Sequence, residues 1–235
     1  MRVYHLTSSQ FGLSNIALRR LKVARFNNLN DPFELLAIDV ASFDLRVGIA
    51  ARKEQIDSEE GLRCFSRSWR DPLLWSHYAE KHRGVALGFD VPDELLTRVQ
   101  YVAGLHKINI AAKSTKQQVI DRVLGRLRYT KFVGWKYEVE VRQFFKLVDL
   151  QSQSGLYFTP FSEQLVLREV ILAPRCDLPI ESVRSLIQPF SPTVHVIQSR
   201  IAYTKFAVVE NRNFRSPRKA SQRSSRISRQ PSCTN

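Results

Sequence analysis

Trp135-Lys-Tyr-Glu-Val-Glu-Val-Arg-Gln-Phe-Phe145 carries the clearest two-residue period in the chain. It alternates, with Glu138, Glu140 and Arg142 on one side and Tyr137, Val139 and Val141 on the other. A period of two in a run rich in valine and aromatics predicts a β-strand with one polar and one apolar face. Carboxylates two residues apart repel, which raises the pKa of one of them, and Arg142 next along the row opposes that shift. Such a row can hold a cation, orient a hydroxyl or act as a general base. It is also the pattern of an ordinary wet sheet face laced with ion pairs.

Outward from that strand, helical and extended patterns alternate irregularly. Val3–Thr7, Leu62–Ser66, Gly84–Phe89, Leu165–Ala173, Thr193–Ile201 and Ala202–Val209 read as strands. Gln10–Val23, with Ser14 and Asn15 as capping residues near its start, reads as a helix. So do Glu34–Ser58, as one or two helices, and Asp71–Glu80, Asp93–Val99, Ser114–Arg128 and Pro179–Gln188. Apolar residues recur in these segments at helical spacing. Short connections and irregular alternation predict an α+β fold: a mixed, largely antiparallel sheet with flanking helices.

The chain has 235 residues and a net charge of +14, enough for one sizeable core and one domain, expected over residues 1–210. Half of the excess charge lies beyond it. Arg212, Arg215, Arg218, Lys219, Arg223, Arg226 and Arg229 fall in 211–235 with no acid among them. That segment is rich in serine and poor in apolar residues, so a disordered basic tail is expected there. Its functional reading is a grip on nucleic acid or another polyanion, and its bland reading is a solvated terminus. No apolar run is long enough to span a membrane, and no apolar leader follows Met1, so a cytoplasmic protein is expected. Cys64, Cys176 and Cys233 are too scattered for a disulfide framework or a zinc site.

No phosphate loop, dinucleotide-binding glycine fingerprint, nucleophile elbow or paired metal-ligand spacing is present. Polar residues cluster in four places instead. Tyr4-His5-Leu6-Thr7-Ser8 offers a histidine either to a ligand hydroxyl or to the cap of the next helix. Asn27–Glu34 contains Asn30-Asp31-Pro32, a turn signal that either presents Asn30 and Asp31 to a ligand or satisfies its own backbone. Cys64-Phe65-Ser66 leads on to Trp75-Ser-His77-Tyr78, whose rings can stack on a ligand or fill a core. His77 and His82, five apart, have no helical metal spacing. The fourth place is the Glu-x-Glu-x-Arg strand itself.

In order, Phe26-Asn-x-x-Asn-Asp-Pro-Phe-Glu34, Cys64-Phe-Ser66, Leu74-Trp-Ser-His-Tyr-Ala79, Gly84-Val-Ala-Leu-Gly-Phe-Asp90, Lys131-Phe-x-x-Trp-x-Tyr-Glu-x-Glu-x-Arg142 and Glu169-Val-Ile-Leu-Ala-Pro174 resemble an uncharacterised bacterial domain family. That resemblance spans most of residues 3–209 and carries no activity with it. A more distant similarity is to the ADP-ribosyltransferases, in the order of an early strand with His, a middle strand with Ser and a late strand with Glu-x-Glu. It implies that His5 is the first member, Ser66 or Tyr78 the second, and Glu140 or Glu138 the carboxylate that steadies an oxocarbenium-like transition state. On that likeness Glu140, Glu138, His5 and Tyr78 are the catalytic candidates. Tyr4, Asn30, Asp31, Ser66, Trp75, His77 and Arg142 are expected around NAD, which would be consumed as a substrate. The implied acceptor is a macromolecule, nucleic acid or protein, in a bacterial toxin or phage-defence setting. Two other readings stand beside it. One is a non-catalytic module in which Glu138, Glu140 and Arg142 form a structural network and the tail contacts nucleic acid. The other is a metal-dependent nuclease using Asp31, Glu138 and Glu140.

Overall fold

A computed structural model describes residues 1–107, 115–191 and 193–214. Along the chain these form β1 Arg2–Thr7, α1 Ser9–Ala17, β2 Arg20–Val23, β3 Ile38–Asp39, α2 Phe43–Glu59, β4 Glu60–Ser66, α3 Pro72–Tyr78 and β5 Val85–Asp90. There follow β6 Thr97–Arg98, β7 Gln100–Val102, β8 His106–Lys107, α4 Lys116–Leu127, β9 Thr130–Phe132 and β10 Glu140–Lys146. The last are β11 Ser152–Gln153, β12 Leu156–Pro160, β13 Val166–Leu172, α5 Ile180–Ile187, β14 His195–Ile201 and β15 Val208–Glu210. Among the described residues no helix is long and apolar enough to cross a membrane.

The expected α+β class is what the chain adopts. Its main sheet runs β15-β14-β13-β5-β1-β4-β10-β6 among the described residues, with only β13 and β14 parallel. Residues in register share a face, because side chains alternate along each strand. Val3, Phe65, Leu87 and Val141 fall on one face and pack with Ile16 of α1 and Val183 and Ile187 of α5. The opposite face is covered in two parts. Leu62 meets Ile49 and Ile56 of α2 and Ile120, Leu124 and Leu127 of α4. Leu6, Ala86 and Ile171 meet Leu74 and Trp75 of α3. Between these two apolar patches lie the polar residues of β1, β4 and β10.

Several expected elements differ. The helix expected over Gln10–Val23 stops at Ala17: Arg19 takes a left-handed conformation (φ 49°), and the chain turns into β2. Its cap is Ser8, which accepts from the Phe11 amide, and not Ser14 or Asn15. Asp93–Val99 yields a single 3-10 turn and the short β6 rather than a helix. The strand expected over Trp135–Phe145 begins only at Glu140. Val133–Glu138 winds into a 3-10 helix, and Val139 is left-handed at φ 44°. The expected tail lies outside the described residues, apart from 211–214, which end in the short turn Arg212–Phe214.

Candidate functional site

β1, β4 and β10 are neighbours, and their register places Tyr4 opposite Ser66 and Ser66 opposite Glu140. β1 and β4 share only that one registered pair. Over this seam lies a cavity of about 130 Å³. Tyr4, His5, Asn30, Ser66, Tyr78, Glu138, Glu140 and Arg142 all line it, as do Glu34, Cys64 and Lys131. Eight of the sequence's candidates therefore meet in one place, brought there from β1, β4, β10, α3 and two connecting segments.

The polar cluster is tightly bonded. Arg142, with no exposed surface, forks onto Glu34 (Nη1–Oε2 2.9 Å, Nη2–Oε1 2.5 Å) and onto Glu140 (Nε–Oε1 2.8 Å). Its Nη1 also donates to the Arg128 carbonyl at 2.8 Å, at the C-terminal end of α4 where backbone carbonyls are otherwise orphaned. Lys131, from β9, reaches Glu138 at 2.6 Å and Glu140 at 3.2 Å, and lies over the Trp135 ring at 4.9 Å. Tyr78 donates its hydroxyl proton to Glu138 and accepts from Asn30 Nδ2 at 2.8 Å. The Glu140 amide donates to the Tyr101 hydroxyl at 2.8 Å. Three buried carboxylates, Glu34, Glu138 and Glu140, thus face two cations, and Glu138 has the weakest compensation of the three.

The protonation preferences follow this arrangement. Burial opposes the charge on Glu140, but Arg142 and Lys131 together outweigh it and hold the group down at about 2. For Glu138 burial wins, raising its pKa above the usual value despite Lys131 and Tyr78. Burial works against the Lys131 ammonium, yet Glu140 and Glu138 more than restore it. Burial pushes His5 down to about 4, so its imidazole is neutral near pH 7. The Cys64 thiol is driven well up, by burial and then by Glu140, and is no thiolate nucleophile.

Four candidates serve roles other than the expected one. Trp75 is fully buried and its indole N–H donates to the Trp69 carbonyl at 2.5 Å, so it is core rather than a ligand platform. The buried Asp31 caps its own turn, accepting from the Phe33 amide at 2.9 Å, and it does not join Glu138 and Glu140. With Asp31 turned away and Lys131 seated between Glu138 and Glu140, the geometry does not support the nuclease reading. His77 lies outside the cavity, against the Tyr137 and Trp135 rings at 6.0 and 5.9 Å. Ser66 lines the cavity, but its hydroxyl is committed at 2.6 Å to the carbonyls of Glu138 and Ser68. It positions Glu138.

Glu34, Tyr101 and Lys131 complete the cluster and were not among the sequence candidates. Glu34 and Lys131 sit at the ends of two quoted motifs, seven and nine residues before Glu138 and Glu140 in the case of Lys131. That placement was the available signal. Comparison with protein-family models, curated proteins and solved structures finds no match to this chain.

Proposed function

We propose that this pocket cleaves NAD at the bond between nicotinamide and ribose and passes the ADP-ribosyl group to a macromolecular acceptor or to water. The observation that carries this reading is Glu138, the least compensated of three buried carboxylates that face two cations, in a cavity where Tyr4, Ser66 and Glu140 share one sheet face. A buried, prearranged negative charge is worth most where positive charge develops, as it does on a ribose losing a pyridine. The nicotinamide of NAD is itself a cation and suits a cluster of three carboxylates and two cations. A cavity of about 150 Å³ holds a benzene ring, and this one, at about 130 Å³, is slightly smaller, so it takes part of the nicotinamide ring and leaves the rest of the dinucleotide outside.

In this reading Glu138 accepts from a ribose hydroxyl and steadies the oxocarbenium-like transition state. Tyr78 and Lys131 hold Glu138 in place. Asn30, exposed at the lip, supplies a hydrogen bond, and Arg142 with Glu34 and Glu140 forms the rigid floor, whereas His5, in register with Leu87, packs edge-on against Phe65 (6.3 Å) on the opposite face of the sheet. The bonding electrons leave with nicotinamide, the acceptor oxygen or nitrogen bonds to the anomeric carbon, and one proton is released. The test is release of nicotinamide from NAD offered with cellular DNA, RNA and protein. Wild-type protein should release it and Glu138→Gln should lose about 100-fold or more.

A second reading is favoured by one observation: Arg142 is saturated by Glu34 and Glu140, as in a purely structural network. On that reading the domain binds and does not react. Wild-type protein would then release no nicotinamide with any acceptor.

A further inference from the structure

The loop between β14 and β15, Ala202 to Ala207, is closed by a backbone bond from the Ala202 amide to the Ala207 carbonyl at 2.9 Å. It projects two large rings into solvent: Tyr203 is 92% and Phe206 99% exposed. Isolated apolar residues on a surface are ordinary, but two nearly bare rings three residues apart on one loop are not. They stand beside a cleft of about 390 Å³ lined by Arg70, Arg200, Lys205 and Arg212, with Glu210 as its one acid. Among the described residues none of these four cations is ion-paired. The Arg200 guanidinium lies over the Tyr203 ring at 5.0 Å and Arg70 over the Trp69 ring at 4.7 Å. The β15 strand is anchored to this corner by the Val208 amide, which donates to the Arg70 carbonyl at 2.8 Å.

We propose that this loop and cleft bind single-stranded nucleic acid, with Tyr203 and Phe206 stacking on bases and the four cations tracking phosphates. Unpaired cations beside exposed rings are the combination that single strands need, since every base has a face to stack and every nucleotide a charge. The cleft is concave, which suits a strand lying in it better than a flat bilayer resting across it. Its charge rules out the chain's own 211–235 segment as occupant, because that segment is itself basic. The same segment adds six further cations beyond Arg212 and no acid. The proposal holds whether or not the cavity turns over NAD.

The experiment is fluorescence anisotropy of the full chain with a labelled 20-nucleotide oligo(dT), its duplex with oligo(dA), and phosphatidylserine vesicles as competitor. Tyr203→Ala/Phe206→Ala replaces only exposed side chains, so the fold is retained. It should weaken oligo(dT) binding about 10- to 100-fold with the salt dependence unchanged. Arg200→Ala/Lys205→Ala should reduce the slope of log K against log salt by about 1.4. The proposal is overturned if either double variant binds like wild type, if the duplex binds as tightly as the single strand, or if only the vesicles bind.

Discussion

Val139 is the residue on which the site turns. A β-branched side chain at φ 44° is strained, and strain of this kind persists only where the surroundings over-determine it. Here the Ser66 hydroxyl holds the Glu138 carbonyl, and the Arg67 amide donates to the Val139 carbonyl at 3.3 Å. The kink breaks the strand's alternation, yet it turns Glu138 back so that Lys131 joins it to Glu140. Val139→Gly should relieve the backbone strain, leave stability unchanged or higher by about 1 kcal/mol, and loosen Glu138, lowering nicotinamide release. Unfolding in urea and turnover measured together separate those two effects. Arg142 behaves oppositely. Arg142→Met leaves Glu34 and Glu140 buried without their cation and should cost about 3–5 kcal/mol. Glu138→Gln keeps one acceptor oxygen, for Tyr78 or for Lys131, and turns an N–H toward the other donor, so it should cost about 1–3 kcal/mol in urea unfolding, less than Arg142→Met. The sequence displayed both glutamates and the arginine, but the alternation of Tyr137, Val139 and Val141 concealed the kink. Nor could it show that Glu34 closes on Arg142 across 108 residues.

At the scale of elements, what the sequence displays is what local pattern determines. β1, β4, β5, β13, α4 and α5 are set by apolar periodicity, and α4 begins with a Thr115–Gln118 capping box. Segments whose state depends on distant partners are less legible. Lys131 sits on a three-residue strand that exists by pairing in parallel with β7, and the same register puts Tyr101 beside it. The return from α3 into β5 is another such place. Glu80, Lys81 and His82 are all left-handed (φ 51, 52 and 69°), held by the Arg83 and Gly84 amides donating to the Ala79 carbonyl. Left-handed residues cost roughly 1–2 kcal/mol each, so Lys81→Gly should not destabilise the protein, although glycine usually does. Three residues after Lys81, a Cβ on Gly84 would stand 2.1 Å from the Thr7 carbonyl oxygen. Gly84→Ala should therefore cost about 1–3 kcal/mol or more by displacing β1, and thermal unfolding reads both variants.

For the whole molecule, acid sensitivity follows from the same groups. His5 titrates near 4 in the folded chain against 6.5 ordinarily, so the unfolded chain takes up its proton first and stability falls as pH drops from about 6.5 to 4. Glu140 holds its charge down to about 2 against 4.5 ordinarily, so its contribution is complete above about 4.5 and is lost as pH falls toward 2. His5→Gln should remove the first loss and leave the second, as followed by urea midpoints across pH. Beyond stability, the molecule sets a carboxylate cavity over β1, β4 and β10 of its sheet and a basic, aromatic cleft at the β15 edge. The most direct measurement is calorimetric binding of NAD compared with its reduced form, which carries the same nucleotide but an uncharged nicotinamide ring. Near a protein surface two charges 4 Å apart interact by about 4 kcal/mol before desolvation, so NAD should bind at least about tenfold more tightly. Glu138→Gln should abolish that preference. Equal affinity for the two forms, or a preference that survives Glu138→Gln, would contradict the assignment of Glu138 as the charge that recognises and activates NAD.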